Sequence, residues 1–201
     1  MDFLIAKTKR NNLIISSSFI ILNYFYIGFS FLFEDFRTLD VVENGIISVL
    51  FSIAYLYVFL VLIDYFKKYK LRGLEIILTI ILISELGNQT SSLINSFRPI
   101  IPQFISSVFS VVGVISMIIW IILILKLKSN DYSCLQSLRR FAFGFIAAFI
   151  LGLLVSIITM FGGFYDYYDL MFLPISIPFF FIIDFALKLD LIEEKPVHNN
   201  I

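Results

Sequence analysis

The chain predicts an all-α fold, a polytopic membrane helix bundle of six transmembrane helices with both termini in the cytoplasm. Three observations carry that expectation. Of 201 residues, 60% are hydrophobic and only 15% charged, with a mean hydropathy of +0.97, a composition outside the range of soluble domains. The apolar residues gather into six segments close to the length of helix that crosses a bilayer. The basic residues fall almost wholly into alternate connections between those segments.

The first segment, 13–33, follows Lys7, Lys9 and Arg10. It is too long for the apolar region of a signal peptide and ends in GFSFLFEDF, without a small-residue cleavage pattern, so it reads as an uncleaved span. The second span covers 46–66 and the third 71–93. The fourth covers 104–127, the fifth 141–160 and the sixth 171–187. In the sixth, Pro174 and Pro178 predict a broken outer half, because proline has no N–H to donate and its ring clashes with the preceding turn. Residues 1–189 thus form one membrane domain, and a polar cytoplasmic tail follows at 190–201.

The third span is the unusual one. Between Glu75 and Glu85 lies a run of nine residues without a charge, too short for a core that takes about 20 residues of helix to cross. A spanning helix here therefore carries a carboxylate at membrane depth. Glu85, Asn88, Gln89 and Ser92 follow at spacings of three and four, along one helical face that must meet protein or water and not lipid. An ionisable face of this kind is a candidate polar path, as in a small transporter or channel subunit. The competing expectation is that Glu85 rests at the outer interface. A re-entrant or interfacial third segment would leave five spans and move the C-terminus to the other side.

Charge distribution decides between those topologies. Lys7, Lys9 and Arg10 precede span one, and Lys67, Lys68, Lys70 and Arg72 join spans two and three. Lys126, Lys128, Arg139 and Arg140 join spans four and five, and Lys188 and Lys195 follow span six. Thirteen of the 15 basic residues therefore share one side of a six-span chain, leaving Arg37 and Arg98 opposite. Cytoplasmic connections carry such an excess, so the localisation expected is the cell inner membrane, multi-pass, with these loops inside. The outer connections are acidic and aromatic, with Glu34, Asp35, Asp40 and Glu43 in one, and Asp166 and Asp169 among Tyr165, Tyr167 and Tyr168 in another.

Catalysis finds little support in the residues. The one histidine, His198, lies in the polar tail, and Cys134 is the one cysteine. Histidine-ligated cofactors and Ser-His or Cys-His arrangements inside the membrane are thereby excluded, and no cofactor or metal is expected. Asp64 and Asp184 stand near the cytoplasmic ends of spans two and six, the sharpest enzyme hypothesis available being a two-aspartate intramembrane protease. Neither LIDYF nor FIIDFALK carries a glycine-flanked aspartate, and each aspartate has a lysine four residues on, so helix-end ion pairs are the simpler reading. The chain is expected not to be an enzyme.

Two further features are organisational. Gly144, Ala148, Gly152 and Ser156 recur every four residues in span five, a small-residue stripe that lets another helix approach closely, either within the bundle or from a second copy in a homo-oligomer. Span four offers Ser106, Ser110 and Gly113 on one face. The basic loop Lys67, Lys68, Lys70 and Arg72 is the candidate contact for a cytoplasmic protein or ribonucleoprotein partner, or for anionic lipid of the bilayer itself.

Two resemblances in gross form follow. Six spans in a chain of this length are similar to the substrate-binding membrane subunits of energy-coupling-factor vitamin transporters, whose first helix carries an alanine pair four apart; LIISSSFIILNYFYIGFSFLF contains no alanine. The chain also resembles the small multi-spanning accessory proteins encoded beside type VI-B CRISPR nucleases, in length, in an Ile/Phe/Lys/Asn-rich composition and in spans without catalytic residues. MDFLIAKTKR and the basic loop KKYKLR are compatible with that family. Its companion family carries an R-x4-6-H motif, which His198 does not complete, since no arginine stands upstream at that spacing. This resemblance implies a non-enzymatic accessory protein that modulates an RNA-guided nuclease from the membrane in antiviral defence.

Overall fold

In the computed structural model, residues 2–29, 41–97, 102–127, 134–163 and 165–193 are described, and they are almost entirely helical. The helices are α1 (Asp2–Gly28), α2 (Val41–Lys68), α3 (Arg72–Phe97), α4 (Gln103–Lys126), α5 (Leu135–Phe161) and α6 (Ile177–Glu193), with a 3-10 segment, Tyr165–Ser176, before α6. The all-α class is therefore as the sequence predicts. The acidic connection at 34–40, Arg98, and the loop at 128–133 lie outside the described residues, as do the side chains of Glu43, Ser92 and 165–168.

Among the described residues, four helical stretches are long and apolar enough to cross a membrane: Gly45–Lys68, Gln103–Lys126, Leu135–Phe161 and Asp169–Leu189. The remaining two of the six expected spans are long but more polar. Within its described length α1 holds Asn11, Asn12, three serines and Asn23, and the apolar end of the expected span falls outside it. The helix α3 is diluted by Glu75, Glu85, Asn88 and Gln89. It nevertheless runs unbroken over 26 residues, a length of about 39 Å at 1.5 Å per residue, and no re-entrant turn interrupts it.

The prolines act as expected. Pro174 lies inside the 3-10 segment and Pro178 is the second residue of α6, where the first turn has no intrahelical acceptor for its missing N–H. At the other end α6 continues through Glu193, so residues 190–193, assigned by sequence to a polar tail, extend the helix. Nothing in Asp190–Glu193 interrupts helical geometry, and polarity alone does not stop a helix that has passed its apolar stretch.

The chain divides into two compact units, a division the hydropathy pattern does not mark. One contains 1–38 and 128–201, and in it α5 packs on α6 and on the 3-10 segment, both of which also meet α1. Phe179 is its aromatic hub, with ring centroids 6.2 Å from Tyr24, 6.0 Å from Phe141 and 6.3 Å from Phe145. Leu13, Ile20, Leu138, Ile182 and Phe185 are fully buried around it. The other unit contains 39–127, where α3 packs on both α2 and α4. Its core follows helical spacing, with Val58, Leu62 and Phe66 on α2 and Leu74, Leu78 and Ile81 on α3. Trp120 closes it, 6.4 Å from the Phe66 ring. On α4 the buried residues are Ser116, Trp120 and Ile124, a single seam at four-residue spacing.

Candidate functional site

The polar face of α3 is not an open row. Gln89 Nε2 donates to Glu85 Oε1 at 2.8 Å, one turn apart, while the Ser52 hydroxyl on α2 donates to Gln89 Oε1. On the other flank, the Ser106 hydroxyl of α4 donates to Asn88 Oδ1 at 2.8 Å. Glu85, Asn88 and Gln89 are half-buried. A 100° step per residue turns Gln89 and Asn88 to opposite sides of Glu85, so one short polar stretch reaches both neighbouring helices. The side chain of Ser92, the fourth member of the expected face, lies outside the described ones.

Close packing accompanies those bonds. A Cβ on Gly87 would stand 2.7 Å from the Phe109 ring of α4, and one on Gly113 would stand 3.5 Å from Ser84 Cβ. The absent side chains let α4 lie against the α3 backbone. Ser106 and Gly113 thus share the α4 face that meets α3, whereas Ser110 is exposed. Thr79, Ser91 and Ser107 bond the carbonyls four residues earlier in their own helices and link nothing.

The basic loop is a tight hairpin. Leu71 N–H donates to Phe66 O at 2.9 Å and Lys70 N–H to Lys67 O at 3.0 Å, with Lys70 at φ +57°. This pairing, one residue in the left-handed region, is a Schellman turn, and it uses lysine where glycine is the usual occupant. Leu71 O then receives the N–H groups of Leu74 and Glu75 as α3 begins. Lys67, Lys68, Lys70 and Arg72 are all exposed. The antiparallel run of α4 brings exposed Lys126 to the same end of this unit.

In the other unit, the small stripe of α5 faces its neighbours. A Cβ on Gly144 would lie 3.1 Å from Pro178 Cα and 3.3 Å from the Phe181 ring, and one on Gly152 would lie 3.4 Å from Met171 O. Ala148 is buried, and Ser156 is half-buried. The stripe therefore serves contacts of α5 with α6 and the 3-10 segment inside the unit.

Asp64 and Asp184 belong to different units. Asp184 Oδ2 accepts from Lys188 Nζ at 2.7 Å and from the Ser137 hydroxyl of α5 at 2.5 Å, and Lys188 also donates to Ser137 Oγ at 2.9 Å. Arg140 stands 4.0 Å from the same carboxylate oxygen. The expected Asp184–Lys188 helix pair is thus part of a four-residue cluster that ties α5 to α6. Sequence reading missed Ser137 and Ser52. Ser52 shares α2 with Ser48 and Ser137 lies in the first turn of α5, and nothing in either position says which neighbouring helix the hydroxyl meets. Cys134, just before α5, is fully buried.

No protein-family model, curated protein or solved structure matches the chain.

Proposed function

We propose that the chain is a non-enzymatic, six-span protein of the cell inner membrane that holds a cytoplasmic protein or ribonucleoprotein partner at its basic end. The observation that carries this reading is the α2–α3 hairpin. Its four cations are exposed together on a backbone turn held by two hydrogen bonds, a pre-ordered surface for an acidic or nucleic-acid-containing partner. In this reading α1 and α3 also cross, giving six spans with both termini inside, in line with the sorting of basic residues. Gln89 and Asn88 of α3 are compatible with membrane depth because hydroxyls on α2 and α4 donate hydrogen bonds to their amide oxygens. The same bonds weigh against a transport path along Glu85, since the face is occupied by helix-helix contacts. The resemblance to type VI-B CRISPR accessory proteins makes an RNA-guided nuclease of antiviral defence the first partner to test.

Two measurements test it. Co-purification from mild detergent should recover a specific cytoplasmic partner with the native chain, and replacing Lys67, Lys68, Lys70 and Arg72 by glutamine should weaken recovery, more so as salt is lowered, because exposed charges are screened over about 10 Å at 0.1 M. Unchanged recovery would remove the basic hairpin from the function. For topology, buried Cys134 is shielded on either side, so exposed positions are needed: Lys68→Cys should resist an impermeant thiol reagent in spheroplasts, and Gly162→Cys should react. The reverse pattern would overturn the orientation.

A further inference from the structure

We infer that the seam between the first turns of α5 and the last turns of α6 is a binding site for the phosphate of an anionic phospholipid of the cytoplasmic leaflet. The inference rests on the membrane reading above and uses none of the α2–α3 hairpin.

The site is built by the Ser137, Asp184, Lys188 and Arg140 cluster. Ser137 is fully buried and fixes the geometry, donating to Asp184 and accepting from Lys188. Two cations share one carboxylate, so the cluster carries a net positive charge. The ammonium of Lys188 has three N–H donors and spends two, on Asp184 and Ser137. Arg140 touches Asp184 only at 4.0 Å, with its side chain 51% exposed. Its fork of donors suits the oxygens of a phosphate. The seam thus holds a cation fixed in place by its neighbours beside one that is half exposed and only loosely paired.

Depth and apolar surroundings select a lipid. Lys188 is one residue from the end of the apolar stretch Asp169–Leu189, and Arg140 lies in the second turn of Leu135–Phe161. Both therefore stand at the level of span ends, where phosphates of a bilayer lie. Phe180 and Leu187, four before and three after Asp184, are 49% and 57% exposed, and Phe143, three after Arg140, is 57% exposed. In antiparallel helices joined through Ser137 and Asp184 these spacings put all three on the flank that carries Arg140. A phosphate on the cluster would have its acyl chains lying along that strip.

The test uses the full chain in vesicles of phosphatidylcholine alone and of phosphatidylcholine and phosphatidylglycerol in equal parts, followed by mild extraction and mass measurement of the lipid that stays bound. Native protein should retain phosphatidylglycerol in preference to phosphatidylcholine. Arg140→Gln should lower that preference about fivefold, the scale of one basic residue at an anionic surface. Arg140→Lys should keep most of it, and Lys126→Gln, an exposed cation on the other unit, should change nothing. Equal retention by native protein and Arg140→Gln would overturn the site. So would an equal loss in Lys126→Gln, which would mean a diffuse field, or displacement by inorganic phosphate, which would mean a soluble anion site. Flotation with plain phosphatidylcholine vesicles reads the membrane assignment by itself: a chain that floats without preferring phosphatidylglycerol refutes only the lipid site, and one that does not float refutes both.

Discussion

The helices α3 and α5 hold their neighbours by opposite means. Along α5, Gly144 and Gly152 bring backbone to within contact of Pro178 and Met171. Along α3, the amide oxygens of Gln89 and Asn88 accept hydrogen bonds from the hydroxyls of Ser52 and Ser106. Lipid tails are as apolar as leucine, so in the proposed six-span arrangement neither helix gains from a hydrophobic effect and each needs one of these two devices. The difference teaches that a row of polar residues along a helix is not by itself a path. On α3 it does for helix association what small residues do on α5.

The largest effect should come from filling the tighter of the α5 contacts. Gly144→Leu forces a side chain against the Pro178 backbone, and overpacking of that kind costs about 1 to 3 kcal/mol, visible as a lowered melting temperature in detergent. Gly152→Leu meets a looser contact and should cost less, and Leu153→Ala, at a position 48% exposed, less again. Equal melting of all three would mean that the stripe does not pack as described. Next comes the hairpin. Lys70 holds a left-handed backbone that costs a non-glycine residue about 1 to 2 kcal/mol, so Lys70→Gly should raise stability, by up to about 1 kcal/mol after the added chain entropy of glycine, whereas Lys70→Val should lower it. A destabilised Lys70→Gly would contradict the turn.

The smallest effect belongs to the polar side of the comparison. A double-mutant cycle of Ser52→Ala with Gln89→Leu should give a coupling of about 0.6 kcal/mol, the average for hydrogen bonds between helices in a membrane. A cycle of Ser106→Ala with Asn88→Leu should give a similar value. Zero coupling in both would free the α3 face for another use.

Helix number, the small stripe and the polar face were legible because each depends on spacing along one helix, which the sequence prints directly. Pro174 and Pro178 likewise announced a break in the outer half of span six through the chemistry of a missing N–H, and the structure forms that part as a 3-10 segment. What the sequence could not give was pairing between helices. Gln89 finds Ser52 across 37 positions and Asp184 finds Ser137 across 47, and a serine looks the same in sequence whether its hydroxyl bonds its own backbone, as Ser91 does, or a neighbouring helix as well, as Ser52 does. The division into two units was hidden for the same reason, since it joins α1 to α6 and the 3-10 segment past the whole of 39–127. Burial of Cys134 was equally invisible.

The most direct test of the assignment of the α3 polar face to helix packing is Glu85→Gln, which keeps size and hydrogen-bonding capacity while removing the charge. In liposomes, native protein should carry no proton or monovalent cation flux above empty vesicles, and the variant should be indistinguishable from it, fold normally and co-purify with the same partner. Flux in the native chain that disappears in Glu85→Gln, with partner recovery unaffected by loss of the basic hairpin, would show that the face is a working path and that the protein is a transporter or channel subunit.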